Sequence, residues 1–424
     1  MTMRVHVIGA GLAGLSAAVA LATRGIPVEL SEAAAQAGGR CRSYHDARLG
    51  MMIDNGNHLV LSGNAAVGRY LRAIGAGDRL TGPARPEFPF HDLRSGKGWT
   101  VRPNAGPLPW WVLHPGRRVP GTQPRDYLAL AALARRHPGK RIGEVLPCQG
   151  PLWERLLHPF LLAALNTAPE EGTADLAGAV IRETLARGGQ ASLPRIATPS
   201  LAAAFVDPAL DRLRLAGATL RLGRRLRALE LEGERVAALA FADGTVPLAP
   251  DEALVLAVPP WVAQDLLPGL AAPDAHRAIL NAHFRLAPPP GLPPMLGLIG
   301  GTAEWIFAFP DRLSVTISAA DSLLDMETDT LIARLWADIA AAHRLPGPPP
   351  PCRVVKEKRA TFAATPAQEA RRPPARTRWR NLFLAGDWTA TGLPATIEGA
   401  LRSGETAAAL ALSLPQPAWE AVAA

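Results

Sequence analysis

The sequence predicts an α/β protein in which a parallel-sheet domain, assembled from three separate segments, is interleaved with a second domain of mixed sheet and helix. Three observations carry this. Residues 4–32 read as strand, glycine-rich turn, helix and strand. Residues 218–260 read as short strands separated by tight turns. Residues 381–404 read as a buried strand, a Gly-Asp step and a terminal helix. A chain of 424 residues suffices for two domains, and 48% hydrophobic against 19% charged residues supplies a sizeable core.

The first segment sets the organisation. Arg4 to Ile8 is a short apolar run suited to a buried parallel strand. Gly9, Gly11 and Gly14 follow at GxGxxG spacing, and Leu15 to Arg24 is an Ala/Leu-rich helix that Gly25 stops. Ile26 to Leu30 is the second strand, with Glu32 just past its end. Gly9 allows a tight turn, Gly11 lets the backbone approach a diphosphate, and Gly14 lets helix and strand pack closely. The helix start, at Leu12 and Ala13, presents free N–H groups and a positive dipole end to that diphosphate. A carboxylate ~20 residues beyond the glycines accepts hydrogen bonds from a ribose, which is the place of Glu32. This is a Rossmann-like βαβ unit.

Gly38, Gly39 and Arg40 follow, a step not shared by dinucleotide sites in general. It resembles the extended fingerprint of the flavin amine oxidase and phytoene desaturase superfamily. The resemblance implies FAD as cofactor and sets Arg40 near its diphosphate.

Met51 to Ile53 reads as a strand and Asn55-Gly56 as a turn lying near the flavin; Asn64 caps a helix running to about Ala73. Within this stretch Asn57-His58 is unusual: a histidine between two apolar strands is either hydrogen-bonded structure or a group at the flavin or substrate. Glu87 to Val101 reads as a hairpin, the first piece of a substrate-domain sheet. Trp110 and Trp111 then stand beside Arg117 and Arg118, ahead of a helix from Tyr127 to Ala134 flanked by Arg135, Arg136 and Lys140. This composition fits an interfacial membrane patch over about 105–140, and equally a helical subdomain with a buried tryptophan pair. An apolar helix within 151–171 gives way to Asn166-Thr167.

The block 218–260 suits a β-meander with turns at Glu232-Gly233-Glu234 and Asp243-Gly244, ending in a strand from Ala253 to Val258. In the superfamily this block holds the adenine ring, and Leu226 matches that position. Residues 277–319 are again strand-rich, Leu323 to Ala342 is a helix, and 346–351 is a proline-rich linker. Asn381 to Ala385 is a buried strand, and Gly386-Asp387 stands at its C-terminal end, where α/β sheets bind ligands. Asp387 can hydrogen-bond a ribitol hydroxyl. Pro394, Ala395, Thr396 and Ile397 open the final helix, whose N-terminus would point positive charge at the flavin N1–C2 edge.

The expected division is therefore 1–80, 196–262 and 375–415 for the FAD-binding domain, with 81–195 and 263–374 for the substrate domain. The motifs span nearly the whole chain. IDNGNHLVL, LLAALNTAPEE, EWIFAF and DWTATGLPATIEGA resemble the squalene-associated FAD-dependent desaturases, a subgroup assigned as hydroxysqualene dehydroxylases of hopanoid synthesis. That subgroup usually reads Gly-Gln-His where this chain has Gly56-Asn57-His58. The resemblance implies replacement of the hydroxyl of a C30 allylic alcohol, hydroxysqualene, by hydrogen. His58 is the candidate for assisting the hydroxyl and Asn166 a candidate for positioning it, while Asp54 reads as structural. Desaturation of phytoene or a C30 analogue, and a non-catalytic flavin-binding scaffold, remain alternatives. Amine oxidation is disfavoured, because Thr396 stands near the position of an aromatic cage residue and the chain has three tyrosines.

Net charge is +8, which suits anionic headgroups or diphosphates, but no basic stripe with interleaved aromatics indicates nucleic acid. Cys41, Cys148 and Cys352 are too few and too widely spaced for a disulfide framework or a zinc site, and no other metal is expected. No signal peptide or run of ~18 apolar residues is evident. The expectation is a cytoplasmic protein, peripheral on the inner face of the cell membrane, with possible association with upstream squalene-pathway enzymes.

Overall fold

The computed structural model of the protein describes residues 3–414. Met1, Thr2 and Pro415, which the sequence reading assigns to the first domain, lie outside them. A five-stranded parallel sheet has the order Thr219–Leu222, Val28–Glu32, Val5–Ile8, Ala253–Leu256, Leu382–Leu384. Strands Val5–Ile8, Ala253–Leu256 and Leu382–Leu384 are buried throughout, as parallel strands covered on both faces must be. Helix Leu12–Ala22 packs against the terminal helix Ile397–Leu412. Ser16 Oγ donates to Leu401 O at 2.8 Å, and a Cβ at Gly404 would fall 2.2 Å from Ala13 O. The contact is thus backbone against backbone, which only glycine permits.

Two local boundaries differ from the sequence reading. The first helix begins at Leu12 rather than Leu15, because helical geometry starts inside the glycine turn. The second strand is Val28–Glu32, so Glu32 is its last residue and not the one beyond. Thr219–Leu222 also leaves the meander to become the edge of the parallel sheet, pairing with Val28–Glu32. The meander itself is Leu226–Glu232, Arg235–Phe241 and Gly244–Pro247.

A seven-stranded mixed sheet has the order Cys352–Phe362, His276–Arg285, Arg312–Ile317, Trp305–Phe309, Met295–Ile299, Phe88–Asp92, Lys97–Val101. The strand Cys352–Phe362 follows the proline-rich linker and is absent from the sequence reading. One face of this sheet shares a core with helix Thr328–His343 through Leu280, Leu313, Val315, Leu331 and Leu335. The other face carries Phe90, Trp305 and Phe307, in one core with Trp111, Tyr127, Trp153 and Leu161 of the helical segment.

Two expectations are corrected here. The two tryptophans are neither a wholly buried nor a wholly exposed pair: Trp111 is buried and meets Tyr127 edge-on at 5.0 Å, a contact worth ~0.5–1.5 kcal/mol beyond burial. Trp110 alone is exposed. Asn64 is the residue ahead of helix Ala65–Ala73, but its side chain does not cap it. Asn64 Oδ1 turns back to accept from Leu61 N–H at 2.8 Å. The cap is Glu398, far away in sequence, which accepts from Ala66 and Val67 N–H at 3.0 Å each.

Candidate active site

The glycine turn emerges from the centre of the parallel sheet, between Val28–Glu32 and Ala253–Leu256. Gly9 is at φ +106°, and a Cβ there would lie 2.3 Å from Ala257 O. A Cβ at Gly14 would lie 1.8 Å from Gly9 O. Gly11 is different. Its backbone is extended, at φ −71° and ψ 176°, and a Cβ would meet nothing within 4 Å. Open space therefore stands directly ahead of the helix N-terminus, where the amides of Leu12, Ala13 and Gly14 precede the first internal bond, Leu15 N–H to Gly11 O at 2.9 Å. Free amides facing open space are the chemistry that an anionic group needs.

Glu32 folds back toward this turn. One carboxylate oxygen accepts from Ala10 N–H at 2.7 Å and the other from Ala34 N–H at 2.8 Å. Those bonds hold the carboxylate still and leave lone pairs for a ribose. Arg224 N–H reaches Glu32 O at 2.8 Å, which brings the meander and its first strand residue, Leu226, alongside. Gly38 N–H donates to Ala10 O at 2.8 Å, and a Cβ at Gly39 would lie 3.3 Å from Gly11 Cα. The Gly-Gly-Arg step thus closes over the glycine turn.

Arg40 then meets Asp387, with its guanidinium 2.8 Å from the carboxylate. Asp387 is buried, and Gly386 is held by Ser403 Oγ, which accepts from its N–H at 2.8 Å. Thr396 caps the terminal helix, accepting from Gly399 N–H at 3.1 Å, with Ala395 just before it and Ile397 the first helical residue. Asn55 N–H bonds Arg42 O at 3.0 Å, and its amide donates to Glu357 at 3.2 Å. Gly56 faces Asn281, whose amide nitrogen would be 2.8 Å from a Cβ. The structure therefore gathers the N-terminal, central and C-terminal candidates around one turn.

His58 lies within the field of Arg40. Burial and that charge push its pKa down to about 4, so it is neutral near pH 7. Its side chain is half-buried. Cys41 is buried, and burial pushes its thiol up to about 12, which keeps it protonated and unreactive. Asp54 is structural: it accepts from Ser43 Oγ at 2.6 Å and Leu201 N–H at 2.9 Å, with Arg312 at 3.5 Å.

Asn166 is a correction. It ends helix His158–Leu165 in the left-handed conformation, and its amide is fully employed in the scaffold. The nitrogen donates to Thr361 Oγ1 at 2.9 Å and Arg277 O at 3.3 Å, and the oxygen accepts from Ala319 N–H at 2.6 Å. It ties a helix end to the seven-stranded sheet, and at 2% exposure its amide serves the scaffold. Sequence reasoning missed Glu398, Asn281 and Glu357, polar residues whose partners are remote in the chain. An open cavity of about 550 Å³ bordered by His91, Trp99 and His343 shares none of these groups.

Comparisons with known proteins agree with this geometry. Residues 12–412 match the model of the flavin containing amine oxidoreductases. The chain is 53% identical to the hydroxysqualene dehydroxylase of Rhodopseudomonas palustris, across 97% of this chain and 99% of that one. It is 51% identical to the protein of the same name from Zymomonas mobilis, across 96% and 99%. Among solved structures, cyclohexylamine oxidase from Brevibacterium oxydans superposes with a TM-score of 0.73 at 16% identity, covering 98% of this chain and 100% of that one. At that identity the likeness concerns the fold. The chain belongs to the flavin containing amine oxidoreductases, and within them to the family of the hydroxysqualene dehydroxylases.

Proposed function

We propose that the protein is an FAD-dependent oxidoreductase that converts hydroxysqualene to squalene in hopanoid biosynthesis. The observation that carries this is full-length similarity, at 51–53% identity, to three proteins named hydroxysqualene dehydroxylase. The cradle around Gly11 supports a dinucleotide form of the flavin, because it offers both a diphosphate space and a ribose carboxylate.

Bound FAD, once reduced, would supply hydride to the allylic carbon. The chain's own residues do the rest. Glu32 would hold the ribose, the start of helix Leu12–Ala22 would take the diphosphate, and the positive end of the terminal helix would favour an anionic reduced ring. The departing hydroxyl takes up one proton and leaves as water, so a donor must stand beside it. His58 is the group suited to this. Because its pKa is depressed to about 4, its protonated fraction grows with each step below pH 7. The expected result is a kcat/KM that climbs as pH falls from 7 toward 5. His58→Ala should keep its flavin, lose ~10²–10⁴ in kcat and lose that pH dependence. The deciding assay is anaerobic incubation of the purified protein with hydroxysqualene and dithionite; no squalene would reject the reading. The same depression sets a stability trend. The unfolded histidine binds a proton near 6.5, so the apoprotein loses stability as pH falls from there toward 4.

The proposed setting is the membrane surface. Leu108, Trp110, Leu113 and Leu128 are 61%, 60%, 55% and 69% exposed, beside Arg117 and Arg118. Apolar side chains next to arginines suit an anionic interface. No helix among the described residues is long and apolar enough to cross a membrane. Replacing Leu108, Trp110 and Leu128 together by serine should abolish flotation with anionic liposomes while leaving flavin bound. Equal flotation would remove the patch from the mechanism of attachment.

A further inference from the structure

The open cleft bordered by His91 and His343 has no part in the reaction above. Its volume, about 550 Å³, is within the range of ligand clefts. Strand Cys352–Phe362, which meets Arg40 and Asn55, forms one edge of the seven-stranded sheet. The cleft stands on Phe88–Asp92 and Lys97–Val101 at the other edge. Five strand spacings lie between Cys352–Phe362 and Phe88–Asp92, roughly 24 Å.

The charge of the lining is one-sided. Arg102, Arg118, His91 and His343 line the cleft, and no carboxylate does. Arg102 has Glu87 at 3.2 Å on one side, and Glu87 is outside the lining. Arg118 forms no ion pair among the described residues; its guanidinium donates to Val112 O at 3.0 Å. A guanidinium carries five N–H donors, and an imidazole donates from at least one nitrogen in either protonation state. Such a lining matches an anion with several acceptor oxygens, as a phosphate has.

The chain between the two arginines decides the form of that anion. Residues 102–118 make a loop closed at its base. Arg102 N–H donates to Arg117 O at 2.9 Å, and the Arg117 guanidinium donates back to Arg102 O at 3.0 Å and Pro103 O at 3.2 Å. Trp111 and Val112 turn inward and are buried, whereas Leu108, Trp110 and Leu113 are exposed. Pro115 and Gly116 of the same loop line the cleft. Pro115 follows Leu113 by two positions, at most ~7 Å of chain. An apolar rim therefore begins where the cationic cleft ends. A free phosphate would leave that rim idle; a phospholipid would use both.

We propose that this cleft receives the phosphate headgroup of one anionic phospholipid, whose acyl chains run along Leu113 and Trp110 into the bilayer. The assignment rests on the membrane-surface reading given above and adds a discrete, saturable headgroup position to it. General attraction of arginines to an anionic surface needs no cleft and does not saturate with a single lipid.

The test is calorimetric titration of the flavin-loaded protein with dihexanoyl-phosphatidylglycerol below its micelle concentration. Wild type should bind one molecule per chain. Glycerol 3-phosphate, which lacks the acyl chains, should bind at least about tenfold more weakly. Arg118→Gln should weaken the lipid by about tenfold. Arg136→Gln removes the same charge from an exposed position outside the cleft and should leave the affinity unchanged. Gly116→Phe guards against misfolding of the arginine variant. A Cβ at Gly116 meets nothing within 4 Å, so the protein accommodates the ring, and binding should be lost with both cleft arginines in place. Flavin content and melting temperature should match wild type in all three variants. No saturable binding, or equal effects of Arg118→Gln and Arg136→Gln, would overturn the headgroup position. Equal affinity for glycerol 3-phosphate would overturn it too and assign the cleft to a soluble phosphate. Flotation of the variant carrying Leu108→Ser, Trp110→Ser and Leu128→Ser separates the two readings. Flotation lost there, with no lipid bound by wild type in solution, keeps the patch and sinks the cleft. Saturable lipid binding with undiminished flotation of that variant keeps the cleft and sinks the patch.

Discussion

Gly11→Val is expected to yield a folded protein that purifies colourless, whereas Gly14→Ala is expected to prevent the N-terminal unit from folding. The two glycines belong to one motif but do different work. Gly11 has an extended backbone that any residue can adopt, and a side chain there would enter open space. A Cβ there meets no protein atom within 4 Å, so on the proposed reading the competitor for that volume is the FAD diphosphate. A Cβ at Gly14 would sit 1.8 Å from Gly9 O, and Gly9 is itself packed on Ala257. Neither backbone can retreat, so the cost exceeds the ~1–3 kcal/mol usual for an overpacked core. Thermal melting of the two apoproteins together with flavin absorbance after purification checks both halves. Stoichiometric flavin on Gly11→Val would mean the cradle has been misplaced.

Glu398→Ala is expected to destabilise the protein by about 1–3 kcal/mol, the range for leaving buried hydrogen-bond donors without their partner. Glu398 is 3% exposed. It caps helix Ala65–Ala73 through two N–H groups and pairs with Arg402 at 3.0 Å, and Arg402 in turn grips Glu183 at 2.8 Å. One carboxylate therefore joins the terminal helix, the helix at 65–73 and the helix Ala174–Glu183. Its loss orphans two donors and leaves Arg402 held by Glu183 alone. Glu398→Gln retains the shape but loses the charge, and should cost less. Urea unfolding of the three proteins gives the comparison; a loss below about 1 kcal/mol for the alanine variant would show that water takes over the cap.

The flavin cradle was legible because its determinants are local. Gly9, Gly11, Gly14 and Glu32 lie within one strand–turn–helix–strand unit, and Gly386-Asp387 stands just past the strand Leu382–Leu384. The charged strand Cys352–Phe362 was not legible: CRVVKEKRATF lies at the edge of its sheet, where Arg353, Lys358 and Arg359 meet solvent, and so lacks a continuous apolar signal. Asn166 misled for a related reason. An asparagine ending a helix is a backbone device when its amide finds three partners, and those partners lie at 277, 319 and 361.

By itself the sequence determined that a βαβ unit would carry a glycine turn with Glu32 at the end of its second strand, because spacing along one short stretch sets their geometry. Only the tertiary structure decided which polar groups are already occupied and which are free. Glu398 meets the amides of Ala66 and Val67 solely because distant parts of the chain pack together. Whether a buried amide or indole is satisfied depends on what stands opposite it, and no spacing within one segment records that.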